Sequence, residues 1–134
     1  MANYNLNASD IMQVEVATIL GDATVQEAAS VMRLEGVRSL IVVPRNDGDS
    51  LAIITYSDIV SKVLAEGRDP EKVLVHQIMT KPLVVVPPTM RVEHIARLFR
   101  QTGIGHVPVI DCGQLLGMVS MTDLITEVIS EPRI

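Results

Sequence analysis

The chain has 134 residues, a formal net charge of −5, and 48% hydrophobic but only 2% aromatic residues. This length fits one domain, or two half-domains of about 60 residues that must share a core because each alone would bury too little surface. An acidic balance without a basic stripe argues against nucleic acid as a main direct partner.

The apolar runs are far shorter than the roughly 20 residues that cross a bilayer, and no charged and apolar leader opens the sequence. We therefore predict a soluble, cytoplasmic protein without a membrane partner. The only cysteine, Cys112, lies in Asp111-Cys112-Gly113, which is typical of a turn, with redox sensing or an intermolecular disulfide as the alternatives. The three histidines show no metal-binding spacing, so no metal site is expected.

The first half of the chain predicts the order strand, helix, strand, strand, helix. Its elements are a strand over Glu15–Leu20, a helix over Val25–Glu35 with Thr24 and Glu27 as a capping box and Gly36 at its end, strands over Leu40–Val43 and Leu51–Thr55 around the loop Pro44–Ser50, and a closing helix opened by Ser57-Asp58 that runs to about Glu66.

The second half repeats this order after an exposed connector at Gly67–Glu71. Its elements are a strand over Leu83–Val86, a helix capped by Thr89 with an apolar face of Val92, Ile95, Ala96 and Phe99 and an end at Gly103, strands over Val107–Ile110 and Leu115–Ser120, and a closing helix opened by Thr122-Asp123.

The two halves are copies of one unit. Ile11-Met12 recurs as Ile78-Met79 and Gly36 as Gly103, and each copy ends on a hydroxyl-rich tetrapeptide closed by Asp58 or Asp123. This duplication predicts repeats over 1–66 and 76–134, joined by a connector over 67–75, that fold together as one module.

Each tetrapeptide, Thr55-Tyr56-Ser57-Asp58 or Ser120-Met121-Thr122-Asp123, has two interpretations. Serine, threonine and aspartate are preferred at helix starts, where they cap backbone N–H groups. Alternatively, a carboxylate can accept both hydroxyls of a ribose, while nearby hydroxyls and backbone N–H groups bind phosphate.

The combined motifs resemble a known family. They are Asp10-Ile11-Met12, Asp22-Ala23-Thr24-Val25, Ile78-Met79-Thr80, the segment from Gly103 to Val109, and the segment from Gly117 to Asp123. Together they are similar to a tandem pair of cystathionine β-synthase (CBS) domains, called a Bateman module. The resemblance implies an α/β (α+β) fold of two pseudo-twofold-related β-α-β-β-α repeats packed through their sheets. It also implies two sites in the inter-repeat cleft for AMP, ADP or ATP, with S-adenosylmethionine less favoured.

In such a family each site combines one repeat's tetrapeptide and turn with a first-strand residue of the other. The resemblance therefore implies a primary site formed by Thr18, His106, Ser120, Thr122 and Asp123, and a secondary site formed by Arg38, Ser39, Thr55, Ser57, Asp58 and Val85. We expect the secondary site to be weaker, because Val85 has no hydroxyl and because Ala52 and Ile41 replace the residues matched by Gly117 and Pro108.

Two of these residues have plain structural alternatives. His106 either contacts a nucleotide or simply closes its turn. Arg38 either supplies a cation for phosphate or is a solvated loop residue.

No nucleophile, base and orienting group form a catalytic constellation, so we do not expect an enzyme. The sequence predicts a stand-alone regulatory, energy-sensing module without an obligatory cofactor, which pairs as a homodimer and controls an unidentified partner protein. The alternative is a ligand-independent dimerisation scaffold, and nucleotide binding separates the two.

Overall fold

The computed structural model describes residues 4–44, 51–81 and 84–130. In chain order its elements are α1 (Ala8–Ile11), β1 (Thr18–Leu20), α2 (Val25–Glu35), β2 (Ser39–Val43), β3 (Ala52–Thr55), α3 (Tyr56–Ile59) continued by a π-helical segment (Val60–Leu64), α4 (Val75–Ile78), α5 (Val92–Thr102), β4 (His106–Asp111), β5 (Gln114–Ser120), and α6 (Met121–Asp123) continued by a π-helical segment (Leu124–Ile129). We call α3 with its continuation the first closing helix, and α6 with its continuation the second closing helix.

The elements form two compact units. The first unit lies within residues 16–82, and the second combines residues from 1–15 with residues from 83–134. Helix α1 therefore packs with the second repeat, whereas the corresponding helix α4 packs with the first. The predicted sequence repeats and the compact units are thus offset at their leading segments, and the predicted packing of the repeats through their sheets stays a prediction.

A three-stranded sheet lies at the centre of the first unit. Strand β1 pairs parallel with β2, placing Thr18 opposite Ile41, and β2 pairs antiparallel with β3, placing Ser39 opposite Thr55. Thr80 extends the pairing through a backbone bridge to Ile53. The buried residues that hold the sheet to its helices include Val25, Met32, Leu40, Ile54, Val75 and Ile78.

The second unit repeats this plan around an antiparallel hairpin. Strands β4 and β5 pair with His106 opposite Ser120, and the register shifts between Val109 and Ile110. Its core consists of buried aliphatic residues and one phenylalanine, among them Ala8, Ile11, Val86, Ile95, Phe99, Val107 and Val119. The scarcity of aromatics in the sequence is consistent with these aliphatic cores.

The predicted strand over Leu83–Val86 is wrong for the residues that can be compared. Leu83 lies outside the described residues, residues 84 and 85 are irregular, and Val86 alone makes a parallel bridge, to Val109. Val86 donates to Pro108 O at 3.0 Å and accepts from Ile110 N at 2.9 Å. Pairing stops there because the next two residues are prolines, which have no N–H to donate.

Both long helices end where they were predicted to end, whereas only α2 also starts where it was predicted to start. Gly36 and Gly103 end α2 and α5 in the left-handed conformation, with φ of 68° and 74°. Thr24 caps α2 by accepting from Glu27 N at 3.1 Å. Thr89 does not cap α5, which begins at Val92 with Arg91 at the cap position.

The start of α5 is instead satisfied by backbone from the beginning of the chain. Val92 N donates to Leu6 O at 3.0 Å, and Asn7 forms a bridge with Arg91. A side-chain cap is unnecessary where a neighbouring segment supplies the acceptor.

The small residues on the helices divide between core and surface. Ala28 and Ile95 are buried, whereas Ala29 and Ala96 are exposed. The predicted loop Pro44–Ser50 lies, apart from Pro44, outside the described residues. Within the part of the chain that the structure describes, no helix is long and apolar enough to cross a membrane.

Candidate functional site

Asp123 lies at the start of the second closing helix, and it is buried, with only 6% of the residue exposed. Its Oδ2 accepts from Ser120 N at 2.8 Å and from Ser120 Oγ at 3.0 Å, and its own N–H donates to Ser120 Oγ at 3.2 Å. Ser120 is therefore the cap and Asp123 the third helical residue of a capping box. The helix begins at Met121, one residue earlier than predicted.

Asp58 occupies the same position in the first closing helix and is 7% exposed. Its Oδ2 accepts from Thr55 N at 3.0 Å and from Thr55 Oγ1 at 3.2 Å. Here too the helix begins one residue before the predicted start, at Tyr56, with Thr55 as the cap. The capping interpretation is thus confirmed for both aspartates, and it leaves Oδ1 of each carboxylate directed to other partners.

The second hairpin brings the predicted turn residue to the same place as Asp123. His106 lies directly opposite Ser120, and Gly105 O accepts from Met121 N at 2.9 Å. Thr122 is exposed in the first turn of the helix. Four of the five residues predicted for the primary site, His106, Ser120, Thr122 and Asp123, therefore lie together at one end of this hairpin.

The fifth residue, Thr18, is an exposed residue of strand β1. It belongs to the first unit, whereas the other four belong to the second. Its participation in a composite site stays a prediction.

The first unit groups most of the predicted secondary site in the same way. Ser39 pairs with Thr55, and Arg38 O accepts from Tyr56 N at 3.1 Å. Arg38 and Ser57 are exposed beside them. Val85 is 45% exposed in the second unit, and its role stays a prediction.

The two carboxylates differ in what their Oδ1 atoms contact. Asp58 Oδ1 accepts from Lys62 Nζ at 3.0 Å and from Thr80 Oγ1 at 2.7 Å. Asp123 Oδ1 accepts from Gln13 Nε2 at 3.0 Å. The first aspartate has a cationic partner within its own helix, whereas Oδ1 of the second contacts the neutral amide of an exposed glutamine.

Sequence reasoning missed Gln13, Lys62 and Thr80. The sequence repeat could have indicated two of them. Gln13 follows Ile11-Met12 as Thr80 follows Ile78-Met79, so the two residues hold equivalent places in the repeats. Lys62 follows Asp58 by four positions, the spacing at which side chains of a helix meet.

Among residues 4–44, 51–81 and 84–130, no three His, Cys, Asp or Glu side chains are grouped to hold a metal ion. Cys112 is exposed in the β4–β5 turn, where both it and Gly113 have positive φ, at 51° and 76°. This geometry agrees with the turn interpretation, and a redox role stays untested.

An open, mainly apolar groove of about 550 Å³ lies along the second unit, between α5 and the second closing helix. Residues that line it include Val92, Ala96, Phe99, Leu124, Ile125 and Ile129. Ile125 and Ile129 are each 57% exposed, and they stand one helical turn apart. Arg97 and Arg100 also line the groove.

Comparison with known proteins identifies the family to which the chain belongs. A family model for the CBS domain matches the chain twice, at residues 8–65 and 75–130. Because these matches cover most of the sequence, the chain belongs to the CBS domain family and carries a pair of CBS domains. The resemblance inferred from the sequence motifs is confirmed, and so is the mixed α+β fold class. CBS pairs are generally regulatory modules.

The chain is similar to protein MK0525 of Methanopyrus kandleri, with 31% identity over 122 residues that make up 90% of this chain and 62% of that protein. It therefore spans less than two thirds of this relative. The CBS domain-containing protein YhcV of Bacillus subtilis is 34% identical over 118 residues, which are 88% of this chain and 82% of that protein. A solved hexameric CBS-CP12 protein from bloom-forming cyanobacteria is 47% identical, with a TM-score of 0.85, and the match covers 91% of this chain and 67% of that one.

Proposed function

We propose that this CBS pair binds an adenosine-containing nucleotide of the AMP, ADP or ATP class and thereby regulates a separate partner protein. The observation that supports it most is the buried carboxylate of Asp123, placed at a helix start whose cap, Ser120, pairs with His106, the first residue of β4. S-adenosylmethionine is a less favoured ligand, because it lacks the phosphates for which the nearby hydroxyls are suited.

A ribose is a good chemical match for Asp123. The sugar offers two neighbouring hydroxyl donors, and an ionised carboxylate accepts both in bonds stronger than those between neutral groups. Gln13, which contacts Oδ1 at 3.0 Å, is exposed, so its amide can move into water when a ligand arrives. Thr122 would offer its hydroxyl to phosphate, and Ser120 would do so by turning its single O–H away from Asp123 Oδ2. His106 would contact the nucleotide, and Thr18 would complete the site.

Isothermal titration calorimetry with AMP, ADP, ATP and S-adenosylmethionine tests this proposal, with GTP as the non-adenine control. Asp123→Ala should weaken binding of the adenine nucleotide about ten- to a hundredfold, which corresponds to about 1.5–3 kcal/mol. Asp111→Ala is the matched control, because Asp111 is an exposed aspartate at the opposite end of the same hairpin. Circular dichroism must show that each variant is folded, since Asp123 also belongs to a helix cap. Unchanged affinity in folded Asp123→Ala would refute the assignment.

The second candidate function is a scaffold that pairs with its own copy and needs no ligand. The apolar groove between α5 and the second closing helix supports pairing, because Ile125 and Ile129 are exposed along it. The similar CBS-CP12 protein is described as hexameric, so assembly occurs in a relative. We propose that a second copy of this chain covers the groove, in either the sensing or the scaffolding role.

Light scattering coupled to size-exclusion chromatography measures this pairing. Ile125→Glu and Ile129→Glu should convert a dimer to a monomer, because each would place a charge in a buried apolar contact. Leu115→Glu is the control, since Leu115 is partly exposed on β5 and does not line the groove. A dimer that survives both isoleucine substitutions would place the interface elsewhere. A dimer that binds none of the nucleotides at millimolar concentration would favour the scaffold.

A further inference from the structure

Lys62 is fully engaged around the Asp58 carboxylate. Its ammonium donates to Asp58 Oδ1 at 3.0 Å, to Ile78 O at 2.9 Å and to Thr80 Oγ1 at 3.2 Å. A lysine ammonium has three N–H donors, so these contacts use all of them. The hydroxyl of Thr80 in turn donates to the same Oδ1 at 2.7 Å. With Thr55 on Oδ2, both oxygens of Asp58 are occupied by groups of the first unit.

The second repeat carries the opposite charge at the equivalent position. Glu127 follows Asp123 by four residues, as Lys62 follows Asp58, and Gln13 stands where Thr80 does. Ile11 is the sequence equivalent of Ile78, whose carbonyl accepts from Lys62. The two sites therefore share their backbone plan, and they differ in whether the closing helix supplies a cation to the aspartate.

We propose that Lys62, through its contact with Asp58, blocks nucleotide binding at the Asp58 site, and we call this contact the lock. The residue four positions after the aspartate then decides which repeat binds the nucleotide. This inference rests on the proposed function, because it assumes that a ribose uses the carboxylate. A ribose at Asp58 must replace the Lys62 and Thr80 contacts on Oδ1, and one of these is charge-assisted. At Asp123 it displaces the neutral amide of Gln13 from Oδ1.

A lysine that attracts phosphate would change nucleotide affinity in the opposite direction from the lock. A lysine beside a nucleotide site would ordinarily strengthen binding by attracting phosphate. If Lys62 acted in that way, its removal would weaken binding, and an added lysine at position 127 would tighten it. The lock predicts the reverse sign for both changes.

The test is calorimetric titration with AMP, repeated with ATP, on the wild-type chain and reciprocal variants. Lys62→Ala should raise the stoichiometry from one nucleotide per chain to two, and the added site should disappear in Lys62→Ala/Asp58→Ala. Lys62→Met, which keeps most of the apolar stem, serves as a second variant if the alanine form does not fold. Lys72→Ala, at an exposed lysine in the connector, is the control.

Glu127→Lys should install the lock at Asp123 and weaken AMP binding at least tenfold. Glu127→Gln is its control, because it removes the charge at this position without adding a cation. Tighter binding by Glu127→Lys would overturn the lock.

The outcomes separate this inference from the proposed function. Wild-type binding that depends on Asp123, together with one site in both Lys62→Ala and Lys62→Met, overturns the lock and leaves the proposed function intact. Two sites in the wild type also overturn the lock. Binding that appears only in Lys62→Ala supports the lock and refutes Asp123 as the primary site. No binding by any variant overturns both.

Discussion

Gly117→Ala tests how closely the N-terminal segment packs on strand β5. A Cβ at Gly117 would lie 2.6 Å from Gln13 O, 3.0 Å from Met12 Sδ and 3.1 Å from Met12 Cγ. The methionine side chain can rotate away. The carbonyl of Gln13 cannot, because Gln13 and Met118 exchange two backbone hydrogen bonds of 2.8 and 3.0 Å.

The loss of stability expected for Gly117→Ala has two contributions, the crowding of the added methyl group and the stretching of the Gln13–Met118 hydrogen bonds. Forcing an extra methyl group into a packed site costs about 1–3 kcal/mol. Stretching the Gln13–Met118 pair adds part of the roughly 0.5–1.5 kcal/mol that each hydrogen bond contributes. We therefore expect Gly117→Ala to lower the free energy of unfolding by about 2–3 kcal/mol.

Urea denaturation followed by circular dichroism measures this loss, and thermal unfolding should show a fall in Tm of roughly 6–12 °C. The matched control is Gly105→Ala, because its Cβ would meet nothing nearer than Met121 Cε at 4.0 Å and its φ is not in the left-handed range. The control should stay within about 0.5 kcal/mol of the wild type. If Gly117→Ala were as stable as the wild type, or if both glycine variants lost stability equally, the argument from the 2.6 Å contact would be wrong.

Three further substitutions test other parts of the fold by urea denaturation. Gly36→Ala should cost about 1–2 kcal/mol through backbone strain alone, because φ is 68° and nothing lies within 4 Å of its Cβ; no loss would contradict the left-handed helix end. Asn7→Ala should cost about 0.5–2 kcal/mol, because it removes the cap of α1, and Asn7→Ser should recover most of that loss. Ile54→Val should cost about 0.5–1.5 kcal/mol because Ile54 is completely buried, and an unchanged free energy of unfolding would contradict its place in the core.

Local signals predicted the long elements well. Helix α2 was predicted over its observed bounds, Val25–Glu35, because its apolar spacing, its Thr24 cap and its Gly36 end are all read within one segment. The short helices α1 and α4 were missed, since four residues are too few to show a helical period. The sequence did contain a cue for α1, in the spacing of Asn7 and Asp10.

The sequence-based bounds were wrong where a distant segment of the chain supplies the hydrogen-bond partner. Helix α5 does not need Thr89 as a cap, because Leu6 O accepts the hydrogen bond from Val92 N. The strand expected to end at Val86 is limited to one bridge, to Val109, and the two prolines that follow stop further pairing. Such partners are set by chain packing, which propensity alone does not describe.

The sequence by itself determined that the chain is a duplicated α+β unit and that Asp58 and Asp123 are its equivalent candidate carboxylates, because duplication and helix-start chemistry are both visible in local sequence. Only the tertiary structure decided what those carboxylates contact. Asp123 is joined to Gln13 from 110 positions away, and Asp58 to Thr80 from 22 positions away. Lys62 was near Asp58 in sequence all along, but its role depends on the carbonyl of Ile78, which folding alone brings within 2.9 Å.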